Sequence, residues 1–197
     1  MCEDEDDPVN FSLPAGDRSL AGAVMQGRDL ICAQLAHVDL TAADLYWGLL
    51  YRCVLEGAIL RGCCLRGASM REANLRGADL RSADLSLSNL GGPTDLEGAD
   101  LTGADLRNAK IGGALFVRAI LVDADLRDAR ARSILPKIPT RFDGADLTRA
   151  RLGGVDLTGC IYDEGTRFPR AFDPRKAGMV HASEIGGPRK KRSKRNK

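Results

Sequence analysis

The sequence has few aromatic residues and no long apolar run. Only 5% of its 197 residues are Phe, Trp or Tyr, so smaller side chains must fill its core. No window approaches the 18 consecutive apolar residues of a membrane-spanning helix, and no membrane association is expected. The six cysteines include no C-x-x-C pair, and there are only two histidines. The sequence therefore predicts no metal site.

Catalytic patterns are also missing. The chain contains no evident Ser-His-Asp, Cys-His or G-x-S-x-G arrangement. No glycine-rich turn between a strand and a helix would hold a phosphate group. We therefore expect no catalytic residues and no cofactor, and the pattern does not favour a small-molecule ligand.

The net charge of +2 conceals two oppositely charged ends. Residues 3–7 are all acidic, and residues 189–197 contain seven Lys or Arg, whereas 22 basic and 22 acidic residues lie between 8 and 188. Residues 1–17 are predicted to be an acidic disordered leader. Because a signal peptide would begin with a basic region and an apolar run, we expect a cytoplasmic protein.

An apolar residue recurs every fifth position, with a small residue two places before it in most units. Neither a helix nor a strand has this period. The central apolar residues before the first interruption are Leu20, Met25, Leu30, Leu35, Leu40, Leu45, Leu50, Leu55, Leu60, Leu65, Met70, Leu75, Leu80, Leu85 and Leu90. A corner every five residues would let four units close one coil of a solenoid, with Leu and the small residue inside. Cys53, Cys63 and Cys160 take the small inward position, and Cys32 and Cys64 are predicted to be outward free thiols.

Two interruptions break the period. Residues 91–94 shift it by one residue, and residues 130–141, which contain two prolines, are predicted to form a loop. Residues twenty apart should stack, or twenty-one apart across the first break. This register predicts one acidic column and a basic column beside it. The acidic column is Asp44, Asp84, Asp105 and Asp125, and the basic column is Arg66, Arg107 and Arg127.

The repeat resembles the pentapeptide-repeat family, whose consensus is A-(D/N)-L-x-x. The segments Ala73–Leu85 and Ala99–Leu106 carry the resemblance almost letter for letter, and it extends over about residues 18–162. It implies an all-β protein, a right-handed quadrilateral β-helix. Residues 163–185 resemble the terminal segment of many short members and should form a C-terminal cap. Residues 186–197 are predicted to be a basic disordered tail.

The position of aromatic residues favours binding of another protein. Tyr46, Trp47, Leu49 and Tyr51 fall at outward positions of the repeat and form the chain's one aromatic cluster. We therefore predict a non-catalytic scaffold for protein–protein interaction, as a monomer or a homodimer. An equally open alternative is that the leader folds back over this cluster.

Two other functions remain open at this point. Some members of the family are acidic rods that imitate DNA and protect DNA gyrase, and the 130–141 loop is compatible with such a role. The balanced charge of the body argues against it, because duplex DNA carries about one negative charge per 1.7 Å. The third possibility is nucleic-acid binding through the tail, whose candidate residues are Arg189, Lys190, Lys191, Arg192, Lys194 and Arg195.

Overall fold

The computed structural model describes residues 18–185 of the chain. These residues wind into stacked coils that are joined by parallel β-bridges between residues twenty apart, such as Asp39 with Ile59 and Ile59 with Asp79. Each bridge is short, because the chain turns a corner after every five residues. Four columns of bridges therefore run along the solenoid, one for each pentapeptide of a coil.

We name each column by its bridged residues. Column A contains Ser19, Asp39, Ile59, Asp79, Asp105, Asp125 and Arg151; column B contains Val24, Asp44, Cys64, Asp84, Lys110 and Arg130. Column C contains Asp29, Leu49, Ser69, Asp95, Leu115, Arg141 and Ile161; column D contains Gln34, Val54, Asn74, Asp100, Ile120, Asp146 and Arg167.

A hydrogen-bonded turn makes each corner. In one unit, the N–H of Ala78 donates to the carbonyl of Leu75 at 3.0 Å. The residue before the alanine has a positive φ, 61° at Gly77, a conformation that glycine adopts without strain. The polar residue before the central Leu bonds nearby backbone: Asp100 accepts a hydrogen bond from the N–H of Thr102 at 2.9 Å.

The core consists of two kinds of inward side chain in every coil. The central Leu residues and the small residues two places before them are fully buried from Leu30 to Leu85 and from Leu96 to Leu126, with only Val38 and Ala119 marginally less so. Cys53, Cys63 and Cys160 are buried among them, as predicted. One wall of the core changes to aromatic residues near its C-terminal end, where Phe116 and Phe142 stack with ring centroids 5.2 Å apart.

The first interruption differs from the predicted register. Ser69 pairs with Asp95 and Leu115 pairs with Arg141, so each interrupted coil contains 26 residues. The first interruption therefore adds six residues that take no part in the ladder, whereas the sequence predicts one such residue. Leu90, expected inside, is 85% exposed as a result.

This difference corrects the predicted charge columns. Asp105 and Asp125 stack on Asp79 in column A, whereas Asp44 and Asp84 belong to column B. In the basic column, Arg107 and Arg127 lie above Arg81, since the N–H groups of Ser82 and Asn108 donate to the carbonyls of Arg107 and Arg127. Arg66 lies on a different corner.

The C-terminal segment contains the only regular secondary structure among residues 18–185. Strand β1 (Ile161–Tyr162) pairs in parallel with strand β2 (Val180–His181), which leads into a 3₁₀ helix at Ala182–Glu184. Between the strands, Phe168 stacks on Phe172 and contacts Tyr162 edge to face. This segment covers the last coil with apolar surface that the repeats lack.

Candidate protein-binding surface

Both loops leave the solenoid at the same corner, between columns B and C. The first loop comprises residues 86–94, and the second loop comprises residues 131–140. One uninterrupted coil separates them and passes this corner at Gly112 and Gly113. We call this side of the solenoid the loop corner.

The glycine pair allows both loops to pack against that middle coil. A Cβ atom on Gly113 would lie 2.5 Å from Cγ of Leu87 in the first loop, and one on Gly112 would lie 2.6 Å from the carbonyl oxygen of Arg132 in the second. Leu87 is buried in this contact. A side chain at either position would push a loop outward, so the two glycines fix how closely the loops approach.

A buried threonine closes each loop where the chain returns to the ladder. Thr94 accepts a hydrogen bond from the N–H of Gly67 and donates to the carbonyl of Leu65 at 2.7 Å. In uninterrupted coils the corresponding N–H donates to a backbone carbonyl nineteen residues later, as the N–H of Gly62 does to the carbonyl of Arg81. The threonine hydroxyl thus replaces a backbone acceptor that the loop has carried away.

The first loop is also ordered from within. The N–H of Ser88 donates to the carbonyl of Gly92 at 2.8 Å, and the N–H of Gly92 donates to Oγ of Ser88 at 2.9 Å. The two loops approach each other: a Cβ on Gly91 would lie 3.8 Å from Cδ1 of Ile138. The first loop is therefore held by its own hydrogen bonds and lies next to the second loop.

The structure divides the predicted aromatic cluster. Tyr46 and Trp47 lie on the loop corner with ring centroids 6.4 Å apart. The Trp47 indole packs against Gly67 and Gly92, close to the positions that Cβ atoms on these glycines would occupy. It therefore supports the first loop, while 41% of the residue stays exposed. Leu49 is exposed in column C, next to this corner.

Tyr51 lies on the following corner, between columns C and D. Its ring is 5.1 Å from the Arg52 guanidinium, and its hydroxyl is 3.4 Å from Oε2 of Glu72. Arg52 and Glu72 themselves form an ion pair of 2.7 Å. Tyr51 is thus part of a polar group rather than of the surface around Trp47.

The most exposed apolar residues of the loop corner are not among the residues predicted from the sequence. Leu90 in the first loop and Ile134 in the second are 85% and 83% exposed, and Leu135 is also exposed. Leu90 fits the five-residue period, which hid it. Pro136 and Pro139 did signal a loop, and the apolar pair directly before Pro136 was the available sign of a contact surface.

A shallow groove of about 850 Å³ runs beside the second loop. Its floor is apolar and comes from column C and the C-terminal segment, with Leu115, Ile161, Val180 and Ile185. Ile138 forms part of one wall and Lys137 adds positive charge, whereas Arg141 is paired with Asp143 at 2.8 Å. The groove extends the loop corner toward the C-terminal cap.

The aspartates of column A are flanked by arginines, so this side of the solenoid carries no continuous negative stripe. Asp79, Asp105 and Asp125 each pair with the arginine two residues later, at 2.8, 2.7 and 2.6 Å. Hydrogen bonds from Arg81 lower the pKa of Asp79 to about 2, and those from Arg107 and Arg127 lower the pKa of Asp105 and Asp125. Oppositely charged groups this close cancel most of each other's field beyond the Debye length.

The cysteines of the described residues lack the features of reactive thiols. Burial raises the pKa of Cys53, Cys63 and Cys160 to about 12, and it also raises the pKa of Cys64. Cys32, predicted to be a free thiol, is disulfide-bonded. No group of three or more His, Cys, Asp or Glu that could hold a metal ion occurs in residues 18–185. No helix in the same residues is long and apolar enough to cross a membrane.

The remaining predicted sites lie outside the described residues. These are the acidic leader at 1–17 and the basic tail, with Arg189, Lys190, Lys191, Arg192, Lys194 and Arg195.

These features define a β-solenoid built from five-residue units. Comparison with protein families identifies the repeat, because the family model described as pentapeptide repeats matches eight copies in this chain. The matches cover residues 19–57, 49–92, 99–133 and 140–161. The chain therefore belongs to the pentapeptide-repeat family.

Solved structures that resemble the chain belong to the same family. HetL from the cyanobacterium Nostoc, involved in regulating heterocyst differentiation, is 29% identical over 82% of this chain and 71% of its own, with a TM-score of 0.44. Another Nostoc pentapeptide repeat protein is 30% identical over 65% of this chain and 84% of its own, with a TM-score of 0.27. QnrB1, a plasmid-mediated fluoroquinolone resistance protein, is 14% identical over 84% and 87%, with a TM-score of 0.48. A comparison with curated proteins gave no match.

Proposed function

We propose that this protein is a non-catalytic scaffold, a right-handed quadrilateral β-helix that binds another protein through its loop corner. One observation carries the proposal: two closed loops on one side of the solenoid present Leu90 and Ile134 almost fully to solvent, beside a half-exposed Trp47. Exposed apolar side chains near an exposed tryptophan are typical of protein-binding surfaces.

The way in which the loops are held supports binding rather than simple tolerance of insertions. Each loop ends on a buried threonine, Thr94 or Thr140, whose hydroxyl bonds two or more backbone groups of the solenoid. A surface that is ordered before it meets its partner loses less conformational entropy on binding.

The charge pattern of column A weighs against imitation of DNA. A DNA mimic needs a continuous negative face, whereas the carboxylates of Asp79, Asp105 and Asp125 are each neutralised by an arginine. If this protein did protect DNA gyrase, it would have to use a different surface. Inhibition or protection of gyrase in a supercoiling assay would favour that alternative over ours.

The test is quantitative capture of partners from lysate of the native host by the full chain. We compare the wild type with the double variant Leu90→Ser/Ile134→Ser and with the matched control Val24→Ser, which changes an 80% exposed apolar residue of column B in the first coil. We expect the double variant to lose the captured protein and the control to keep it. Equal capture by all three would refute the loop corner as the binding surface.

Two further variants separate the remaining possibilities. A Tyr46/Trp47/Tyr51 triple-alanine variant tests the aromatic residues, and we expect the effect to come from Trp47. Truncation after Gly187 removes the basic tail. Salt-dependent binding of nucleic acid that this truncation abolishes would assign a separate function to the tail.

A further inference from the structure

The second loop carries positive charge that no carboxylate of the structure pairs with. Most arginines on the walls of the solenoid form ion pairs, as Arg149 does with Asp123 at 2.6 Å. By contrast, Arg130, Arg132 and Lys137 are exposed and form no ion pair among residues 18–185. The positive field of this loop is therefore not cancelled in the way that the fields of the walls are.

The carboxylates nearest to the loop have other partners. Asp143 pairs with Arg141 at 2.8 Å. Hydrogen bonds from Thr158 and, to a smaller extent, the attraction of Arg132 lower the pKa of Asp156. The charges of Arg132 and Asp156 nevertheless do not form an ion pair. Arg132 thus remains available to a carboxylate from outside the chain.

The unpaired cations lie on both sides of an apolar surface. Arg132 comes two residues before the exposed Ile134, and Lys137 comes two residues after the exposed Leu135. Lys137 also lines the groove beside the second loop, whose floor is apolar. An apolar centre with a charged rim is the usual arrangement of a protein-binding site, and here the rim is positive.

We propose that the partner of the loop corner presents an acidic segment to the second loop. Its apolar side chains would enter the groove and contact Ile134 and Leu135, and its Asp or Glu carboxylates would pair with Arg132 and Lys137. This inference rests on the proposed function and adds the chemistry of the partner to it. An arginine pairs well with a carboxylate, because its planar guanidinium can donate two parallel hydrogen bonds.

The dimensions of the groove suit a short extended segment. Its volume of about 850 Å³ lies within the range of pockets that hold a drug-sized ligand, so it holds a few side chains. Leu115, Ile161 and Val180 lie along column C in a row that also contains Arg141. Three steps between neighbouring coils span about 14 Å, which about four residues of an extended chain would cover.

The same charges disfavour a second copy of this chain in the groove. In a symmetric dimer through the loop corner, Arg132 and Lys137 of each copy would face those of the other, because such an interface uses the same surface twice. The walls of a second copy offer few free carboxylates, since aspartates such as Asp123 already pair with arginines. An acidic segment of a different protein meets neither obstacle.

The first test measures fluorescence anisotropy of labelled synthetic peptides mixed with the full chain. The glutamate peptide carries a pair of leucines with glutamates on both sides, and matched peptides replace the glutamates with lysines or the leucines with serines. We expect only the glutamate peptide to bind, with an affinity that falls as ionic strength rises. Equal binding of the glutamate and lysine peptides, or no binding of the glutamate peptide, would overturn the proposal.

Charge reversal then tests the named cations. In Arg132→Glu/Lys137→Glu, we expect the affinity for the glutamate peptide to fall by about tenfold or more, and in Arg132→Gln/Lys137→Gln by a smaller factor. The control Arg170→Glu changes an exposed arginine of the C-terminal segment that forms no ion pair among residues 18–185, and it should bind like the wild type. An equal loss in this control would contradict the assignment. Urea denaturation should give wild-type stability for all these variants, because the changed residues are exposed.

Two comparisons separate this inference from its alternatives. Duplex DNA that binds more tightly than the glutamate peptide, with the same dependence on Arg132 and Lys137, would assign the cations to phosphate groups and overturn the acidic segment. In capture from lysate, loss of the partner in Leu90→Ser/Ile134→Ser but not in Arg132→Glu/Lys137→Glu would refute this inference and leave the proposed function standing. Unchanged capture in both variants would refute both.

Discussion

The hydroxyl of Thr140 accepts a hydrogen bond of 2.8 Å from the N–H of Gly113, and it donates toward the carbonyls of Ala131 and Ile111. Thr94 makes the same kind of bridge to Gly67 and Leu65 one loop earlier. In both cases the threonine is the last residue before the chain returns to column C. The solenoid thus repeats one solution wherever a loop interrupts this corner.

The first prediction concerns the buried hydroxyl of Thr140. Thr140→Val leaves the N–H of Gly113 without an acceptor in a fully buried site, so it should lower the free energy of unfolding by about 1–3 kcal/mol. Urea denaturation measures the change, and limited proteolysis should show faster cleavage within 131–140. Thr140→Ser, which keeps the hydroxyl, is the control. A valine variant as stable as the serine variant would contradict this role.

The second prediction concerns the close approach of Gly113 and Leu87. Gly113→Ala would place an alanine at a φ of 85° with its Cβ 2.5 Å from Leu87. Gly77→Ala would also place an alanine at a positive φ, but with no atom within 4 Å of its Cβ. We expect the first to cost about 1–3 kcal/mol more than the second in denaturation experiments. Adding Leu87→Ala to Gly113→Ala should recover part of that difference. If the two single variants are equally stable, the packing of the first loop does not depend on this glycine.

The third prediction concerns acid stability and the ion pair of Asp79 with Arg81. The pKa of Asp79 is about 2 in the folded protein, below its ordinary value of 3.8. A carboxylate with a lowered pKa stabilises the fold above its unfolded pKa, and this contribution is lost as the pH falls from about 4 to 2. The stability difference between wild type and Asp79→Asn should therefore shrink over that range. Titration by NMR in Arg81→Gln should show a higher pKa for Asp79, and an unchanged pKa would refute the pairing.

The fourth prediction concerns the width of the interior. Ala78 is fully buried and stacks between Ala58 and Ala104, since the N–H of Asp79 donates to Ala58 and the N–H of Asp105 donates to Ala78. Ala78→Leu would place a large side chain between coils spaced about 4.8 Å apart, and should destabilise by about 1–3 kcal/mol or more. Arg76 forms an exposed ion pair with Asp100 at 3.0 Å. The outward change Arg76→Leu should therefore cost at most about 1 kcal/mol, the value of such a pair. Thermal unfolding that ranks the two variants equally would contradict a narrow core.

The periodic parts of the structure could be predicted from the sequence. A unit such as Ala78–Asp79–Leu80 determines its own local conformation, because Ala and Leu suit the interior and Asp bonds the next backbone N–H groups. The same argument identified the inward cysteines and the loop near 130–141. Each of these properties depends on residues within one pentapeptide or its immediate neighbours.

The register across the first interruption could not be predicted in this way. A loop needs to satisfy the ladder only at its two ends, here Leu85 and Asp95, so it can remove one residue or six at little difference in cost. Leu90 kept the five-residue period and gave no sign of being outside. The spacing between Leu85 and Leu96 does not say which of the two paths the chain takes.

The division of the aromatic residues has a similar origin. Tyr46 and Tyr51 are five residues apart and both outward, but they lie on adjacent corners, on either side of column C. Their neighbours come from later coils: the first loop beside Trp47, and Glu72 beside Tyr51. These contacts join residues twenty or more apart, so they depend on how the coils stack and, beside Trp47, on the path of the first loop.

The sequence by itself determined the solenoid, its Leu and Ala core, its Asp corners and its balanced charge, because these follow from short-range rules repeated in every unit. Only the tertiary structure decided that the two loops share one corner, that Gly112 and Gly113 admit both of them, and that Asp105 and Asp125 stack on Asp79 rather than on Asp84. These relationships join coils that are far apart in the chain, and their geometry is set by how many residues each loop removes from the ladder.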